Sequence, residues 1–394
     1  MGTPKFSVVI PYKQRLDNIG LAFAALADQT LDRSDIEVVV GALEYAPEYT
    51  ALCREYADRL RIVTVTADVP WNLSHARNLA VAQATGEVLV FLDADMMLPP
   101  GCLENLYTRH YAHRQNVCIA GGMIGYDDVA ERDIDTVTAL PYSHYRTILA
   151  QLEQTDVSGM DERWSPAYRS PIARFPWVYA RGGFLALPAA TLRRHGLHFD
   201  EGFDGWGPED QEWGLRVAAT GTPVLLPQDV YGVHLPHARD ISANGVTAGV
   251  NNKYYLAKWP RLDLELALAF GWLEADRIYQ EVERELAAAA GGEGRALGAV
   301  RGTVNGTDVL LLGVVTADGV PLPSPDLDAL DDTRALPAVL PLAGFGLPHP
   351  DGSVEECRIL PPVAALGARY RDAILREAER VARKVTAPAG AARG

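Results

Sequence analysis

The chain is 394 residues long, with 48% hydrophobic and 22% charged residues, the balance of a water-soluble globular protein of two or three domains. Its formal net charge of -15 argues against nucleic acid and anionic membrane surfaces as partners, since both need a basic face. No apolar run is long enough to cross a bilayer, so no transmembrane segment is expected.

The β-branched run 6–10, ended by Pro11, predicts a first strand close behind Met1, which leaves no room for a signal peptide. Cys53, Cys102, Cys118 and Cys357 are scattered, without C-x-x-C spacing, and read as reduced thiols. A cytoplasmic protein is expected from both observations. Helical spacing follows over 16–27, a short strand over 36–40, a helix over 47–60 and a strand over 61–65. A helix over 72–84 and a strand over 87–92 complete a strand–helix alternation that predicts an α/β fold: a mostly parallel, Rossmann-like sheet with helices on both faces. Neither G-x-G-x-x-G nor G-x-x-x-x-G-K-[ST] follows the first strand, so the dinucleotide and phosphate-loop fingerprints are absent.

A helix is predicted over 100–113 and a strand and turn over 117–126, followed by a long excursion over 127–175 with helix around 138–152. A strand over 177–187, interrupted by Gly182-Gly183, leads to a short helix over 189–195. The segment 205–212 opens a helix to residue 219, and strands follow over 223–226 and 230–234. Helices are predicted over 247–259 and 262–290, then a Gly-rich linker at 291–294. Beyond it come a hairpin over 298–317 with an Asn305-Gly306 turn, a Pro/Asp-rich stretch, and a helix over 363–384. The expected organisation is a catalytic domain over 1–245, with a nucleotide-binding half (1–115) and an acceptor half (116–245), a helical extension (246–292), a small α+β module (296–386) and a disordered tail (387–394).

Three constellations carry chemistry. Asp93-Ala94-Asp95 closes the apolar strand, and carboxylates one residue apart repel unless each has a cation or donor. At a strand's carboxyl end they predict a divalent-cation site holding something phosphorylated, although a solvated acidic turn satisfies the triplet alone equally well. Asn72-Leu73-Ser74-His75-Ala76-Arg77-Asn78 opens the preceding helix and suits an anion or nucleotide, or else is an N-cap followed by a surface Arg. One or two carboxylates plus an imidazole leave open positions on Mn2+ or Mg2+ for diphosphate oxygens. His234 and His237, just past a strand, are both candidates for that imidazole, against the alternative of a capped or core histidine. Finally, Trp206-Gly207-Pro208-Glu209-Asp210 offers a flat apolar face for a sugar and carboxylates for its hydroxyls, and equally reads as a Gly-Pro turn before an acidic helix start.

Taken together, Val8-Val9-Ile10-Pro11-Tyr12, Ala76-Arg77-Asn78 and Phe91-Leu92-Asp93-Ala94-Asp95 resemble a GT-A glycosyltransferase of the family 2 type. The stretch from Arg181-Gly182-Gly183 through Trp206-Gly207-Pro208-Glu209-Asp210 resembles the C-terminal segment of β-1,4-galactosyltransferases and chondroitin-polymerase-like enzymes. The resemblance covers about residues 5–240. It implies that Pro11 and Tyr12 line the nucleoside pocket, with Gly183 also on the donor side. It places Arg77 on the base or phosphates and Asp93 on the ribose side. Asp95 and His234 would be metal ligands, Trp206 and Glu209 would hold sugar, and Asp210 would be the general base. The family's acidic turn after the second strand is replaced by Gly41-Ala42-Leu43-Glu44, where Glu44 is the substitute carboxylate.

The implied activity is inverting, metal-dependent transfer of a sugar from a nucleotide-sugar donor, with UDP the family default, to a hydroxyl-bearing acceptor by single displacement. The altered turn also suits a catalytically inactive nucleotide-sugar-binding or regulatory protein of the same fold. Sugar, metabolite and peptide acceptors all stay open, and the Ala/Gly/Arg-rich usage points to a high-GC bacterial source. The 296–386 module reads either as a dimerisation element that makes a homo-oligomer or as a packing appendage.

Overall fold

The computed structural model describes residues 2–126, 140–237, 240–331 and 338–388. It divides into two compact units, Met1–Ala248 and Gly249–Gly394.

In the first unit, β1 (Phe6–Tyr12), α1 (Leu16–Ala27), β2 (Ile36–Ala42), α2 (Pro47–Tyr56), β3 (Arg61–Thr66), α3 (Leu73–Val81) and β4 (Val88–Leu92) alternate as the hydrophobic periodicity predicts. Then come β5 (Met96–Met97), α4 (Cys102–Leu106), β6 (Cys118–Ala120), β7 (Gly122–Ile124), α5 (Tyr142–Leu152), β8 (Phe184–Pro188), α6 (Ala189–His195), α7 (Glu209–Ala219), β9 (Val224–Leu225) and β10 (Tyr231–His234). The main sheet has the order β3-β2-β1-β4-β8-β6-β9, and a small sheet has the order β5-β10-β7. Strands β1 to β4 pair in parallel, whereas β8 runs antiparallel to β4 with Phe184 opposite Leu92.

Alternate residues of each central strand enter different cores, which is why these strands read as continuous apolar runs. Val8, Ile10, Val38, Val40, Val90 and Leu92 pack with Ile19 and Phe23 of α1 and with Leu103 and Leu106 of α4. Val9, Val39, Leu89, Phe91 and Leu185 pack on the other face with Ala80, Leu192 and Trp213. Trp213 is fully buried, stacks on Phe199 and donates its Nε1–H to the Leu197 carbonyl at 2.8 Å.

In the second unit, helices Leu262–Phe270, Trp272–Ala289 and Ala368–Val381 share one apolar core with a sheet built on β11 (Arg295–Val304) and β12 (Thr307–Ala317). The hairpin turns at Asn305 (φ 50°) and Gly306 (φ 77°), the left-handed pair that Asn-Gly favours. Gly313, at φ 90°, is the extra residue of a bulge against Gly298/Ala299.

Several local expectations are corrected. The single helix over 262–290 breaks at Gly271, whose φ of 77° no helix accommodates. Residues Pro176–Tyr179 form a 3-10 turn rather than the start of β8. The helix over 100–113 is α4 followed by a wide turn at Tyr107–Tyr111, and the helix over 247–259 begins earlier, at Ile241. Residues 127–139 of the excursion and 389–394 of the tail lie outside the described residues. Among the described residues, no helix is long and apolar enough to cross a membrane.

Candidate active site

The topology brings the candidate residues to one edge of the sheet. Asp93 lies just past the carboxyl end of β4, and the entry to antiparallel β8 therefore lies beside it. The Asp93 N–H donates to the Gly183 carbonyl at 3.1 Å. A Cβ on Gly182 would fall 2.3 Å from Arg77 Nη2, so only glycine allows the guanidinium to sit there.

Arg77 is the centre of the arrangement. It rides on α3, which Asn72 caps by accepting the His75 N–H at 2.8 Å. The side chain is 1% exposed, with Nη2 at 3.0 Å from Asp93 Oδ1 and Nη1 at 3.0 Å from Glu209 Oε1. Its guanidinium lies over the Phe199 ring, 4.8 Å from the centroid. Glu209 is buried at the start of α7. Burial, then the adjacent Asp210 charge, push its carboxyl up to about 8 against the pull of Arg77.

Asp210 is half-buried. Its carboxylate accepts the Gly182 N–H at 2.8 Å and the Gln211 N–H at 2.7 Å. Burial raises its pKa above the usual carboxylate range, opposed first by the Gly182 N–H and then by Arg77. Asp210, Gly182, Gly183, Asp93, Arg77 and Glu209 therefore form a continuous set of contacts, and one guanidinium serves several carboxylates.

The second cluster is Asp95, His234 and His237, whose ligand atoms all lie within 4.8 Å of one another. The antiparallel pairing of β5 with β10 sets Met96 opposite His234, which delivers the imidazole to the acidic turn. His237 Nε2 is 3.2 Å from Asp95 Oδ2, and His234 Nε2 is 3.8 Å from Asp95 Oδ1. Asp95 Oδ1 is buried and has no hydrogen-bond partner among the described residues, a costly state that a cation would relieve. A carboxylate with two imidazoles is a donor set that suits Mn2+ and tolerates Mg2+ less well. The fit is therefore good, and both histidines belong to the cluster.

The remaining predicted residues are more scattered in role. Pro11 and Tyr12 are buried, and the Tyr12 ring stacks on Tyr49 at 4.4 Å. Glu44 receives the Gln14 N–H at 3.0 Å, so it braces the loop after β1. Trp206 is 56% exposed, and its N–H donates to Thr247 Oγ1 at 3.1 Å. Gly183 faces Met123, whose Cε would be 2.5 Å from an added Cβ.

Sequence reasoning missed two features. Arg15 forms an ion pair with Asp95. Asp161 and Arg163, in the excursion, form a fully buried pair at 2.5 Å that ties the Met123 N–H, the Gly121 carbonyl and the Tyr179 carbonyl together behind β7. Aperiodic sequence gave no signal for either.

A parallel-dominated α/β sheet with an acidic turn after β4 and Glu209-Asp210 beside it is the arrangement that the resemblance to GT-A glycosyltransferases implies. The chain matches the family model described as glycosyl transferase family 2 over residues 7–169. It is 29% identical over 294 residues to the validoxylamine A glucosyltransferase of Streptomyces hygroscopicus subsp. jinggangensis (strain 5008), which spans 70% of this chain and 67% of that protein. For the protein of the same name from subsp. limoneus the span is 62% of its length. Identity to the chondroitin synthase of Escherichia coli is 26% over 224 residues, 55% of this chain and 32% of that one. Among solved structures, the mannosyltransferase PcManGT from Pyrobaculum calidifontis in complex with GDP-Man and Mn2+ aligns with a TM-score of 0.45 and 18% identity, over 74% of this chain and 77% of that chain.

Proposed function

We propose that this protein is an inverting, metal-dependent glycosyltransferase that moves a sugar from a UDP-sugar to a hydroxyl by single displacement, with Asp210 as general base. The observation that carries the proposal is the division of labour between neighbouring carboxylates. Glu209 is tied to Arg77 at 3.0 Å, while Asp210 is half-buried and, among the described residues, accepts hydrogen bonds from two backbone N–H groups and none from Arg77. Asp210 is thus aimed but not neutralised, which suits a group that must take a proton. Its raised pKa brings its basicity closer to the working range of a base at neutral pH.

Asp95, His234 and His237 would hold a divalent cation, Mn2+ or Mg2+. An ion held there would supply positive charge to offset the negative charge of the departing diphosphate. Asp93, fixed by Arg77 and by its own N–H, would meet the ribose side of the donor. Pro11, Tyr12, Glu44 and Gly183 would border the nucleotide, and Arg77 would hold that border in register. Trp206 would give the sugar an apolar face, and the half-exposed ring supports that role.

The name of the Streptomyces relatives, validoxylamine A glucosyltransferase, supports a glucosyl donor and acceptors of the validoxylamine kind. A screen of nucleotide sugars against such acceptors tests this part. The assignment of the base is tested by Asp210→Asn, which should abolish transfer and leave UDP binding in calorimetry unchanged. Full turnover in that variant would refute Asp210 as the base.

A further inference from the structure

Arg15 pairs with Asp95 Oδ2, the same oxygen that lies 3.2 Å from His237 Nε2. The Asp95 side chain is 2% exposed and that of Arg15 is 41% exposed, so the carboxylate is fixed whereas the guanidinium can withdraw into solvent. The backbone behind Arg15 is held firmly. Gln14 sits in the left-handed region at φ 51°, uncommon for a non-glycine residue. Glu44 secures it there, taking the Gln14 N–H at 3.0 Å and its side-chain amide at 3.4 Å. The Arg15 carbonyl accepts the Ile19 N–H at 3.0 Å, which starts α1. A monovalent cation therefore stands on one donor of a three-donor cluster, on a braced loop beside the first strand. A divalent ion held by the two imidazoles and Asp95 Oδ1, the oxygen without a hydrogen-bond partner among the described residues, would share one carboxylate with the guanidinium on Oδ2 and strongly repel it.

We infer that Arg15 and the divalent cation exchange places at Asp95. Arg15 neutralises the buried carboxylate before the donor arrives, and on loading its guanidinium moves to the donor's diphosphate. The inference rests on the proposed reading of Asp95, His234 and His237 as metal ligands. Arg15 leaves Asp95 at low cost only when an anion receives it, so the ion alone binds weakly and ion and donor favour each other. Such coupling is reciprocal: the factor by which UDP tightens the ion equals the factor by which the ion tightens UDP.

The test is direct Mn2+ binding to the full chain, read by calorimetry and by the paramagnetic resonance signal of free Mn2+, with and without UDP. Arg15→Gln should bind Mn2+ alone about tenfold tighter than wild type and lose about tenfold of UDP's effect on Mn2+ affinity. Arg15→Ala, a second uncharged variant, carries the same expectation. Arg15→Lys keeps the charge and should stay within about threefold of wild type. Unchanged or weaker Mn2+ affinity in folded Arg15→Gln and Arg15→Ala without UDP overturns the exchange while leaving the metal site standing. Absence of Mn2+ binding in wild type, with and without UDP, removes the metal reading and the exchange together.

Discussion

Asp93 and Glu209 hold different nitrogens of one guanidinium, that of Arg77, each at 3.0 Å. The first carboxylate follows β4 and the second starts the helix that carries Asp210, so a single buried cation joins the two segments. Removing it strands carboxylates in a poorly solvated place, which is worse than removing a surface pair. Arg77→Met should lower unfolding stability by about 3–5 kcal/mol in urea denaturation. Adding Glu209→Gln to that variant should restore part of the loss, since the amide replaces a buried carboxyl that the first change left without its hydrogen-bond donor. An additive double variant would show that the two residues are not coupled.

The same cluster makes a pH prediction. The Glu209 carboxyl stands at about 8 in the folded protein, against an ordinary value of 4.5. Between these values the folded state holds more protons than the unfolded one. Its contribution to stability is therefore fully present below 4.5 and is lost as pH rises through about 8. Urea midpoints should fall between about pH 5 and about pH 9, and Glu209→Gln should show a shallower fall. The transfer rate should move the opposite way. It should rise with pH as Asp210, whose pKa is also raised, loses its proton.

Much of this was legible in the sequence, and the reason differs between the parts. The strands β1, β2 and β4 were readable because both of their faces are buried, which forces continuous apolar runs. The acidic turn was readable because charges next to such a run need an explanation, and Glu209-Asp210 because they follow Trp206 and a Gly-Pro bend. The two-residue strand β5 was not readable, although its pairing with β10 is what delivers His234 to Asp95. Two residues carry no periodicity. Arg15 was not readable either, since a loop Arg is usually solvated and only the folded turn sets it on Asp95. The Asp161–Arg163 pair lay in an aperiodic stretch whose burial arises from tertiary packing alone.

The cluster of Asp95, His234 and His237 predicts a thermal signature as well as a catalytic one. Mn2+ at about 100 times its dissociation constant should stabilise the folded state by about 2.7 kcal/mol. In a thermal-shift titration, Asp95→Asn and His234→Ala should each lose most of this effect. His195→Ala, an exposed histidine at the end of α6, should keep it. A chelator should abolish transfer by wild type and leave its apo unfolding temperature unchanged. Equal Mn2+ stabilisation across all three variants would place the ion elsewhere.

The adjacent glycines 182 and 183 should respond differently to the same substitution. An alanine Cβ at 182 meets Arg77 Nη2 at 2.3 Å and Cζ at 2.8 Å. That guanidinium is buried and paired on both terminal nitrogens, so it cannot step aside without breaking a contact with Asp93 or Glu209. An alanine at 183 meets Met123 Cε at 2.5 Å, the far end of an unbranched side chain that can change rotamer. Gly182→Ala should therefore cost about 1–3 kcal/mol of stability and lower the transfer rate together with the strength of donor binding. Gly183→Ala should be milder in both measurements. The pair separates crowding of the arginine from a general intolerance of side chains at the mouth of β8, because equal losses would mean that the strand entry, rather than Arg77, sets the limit.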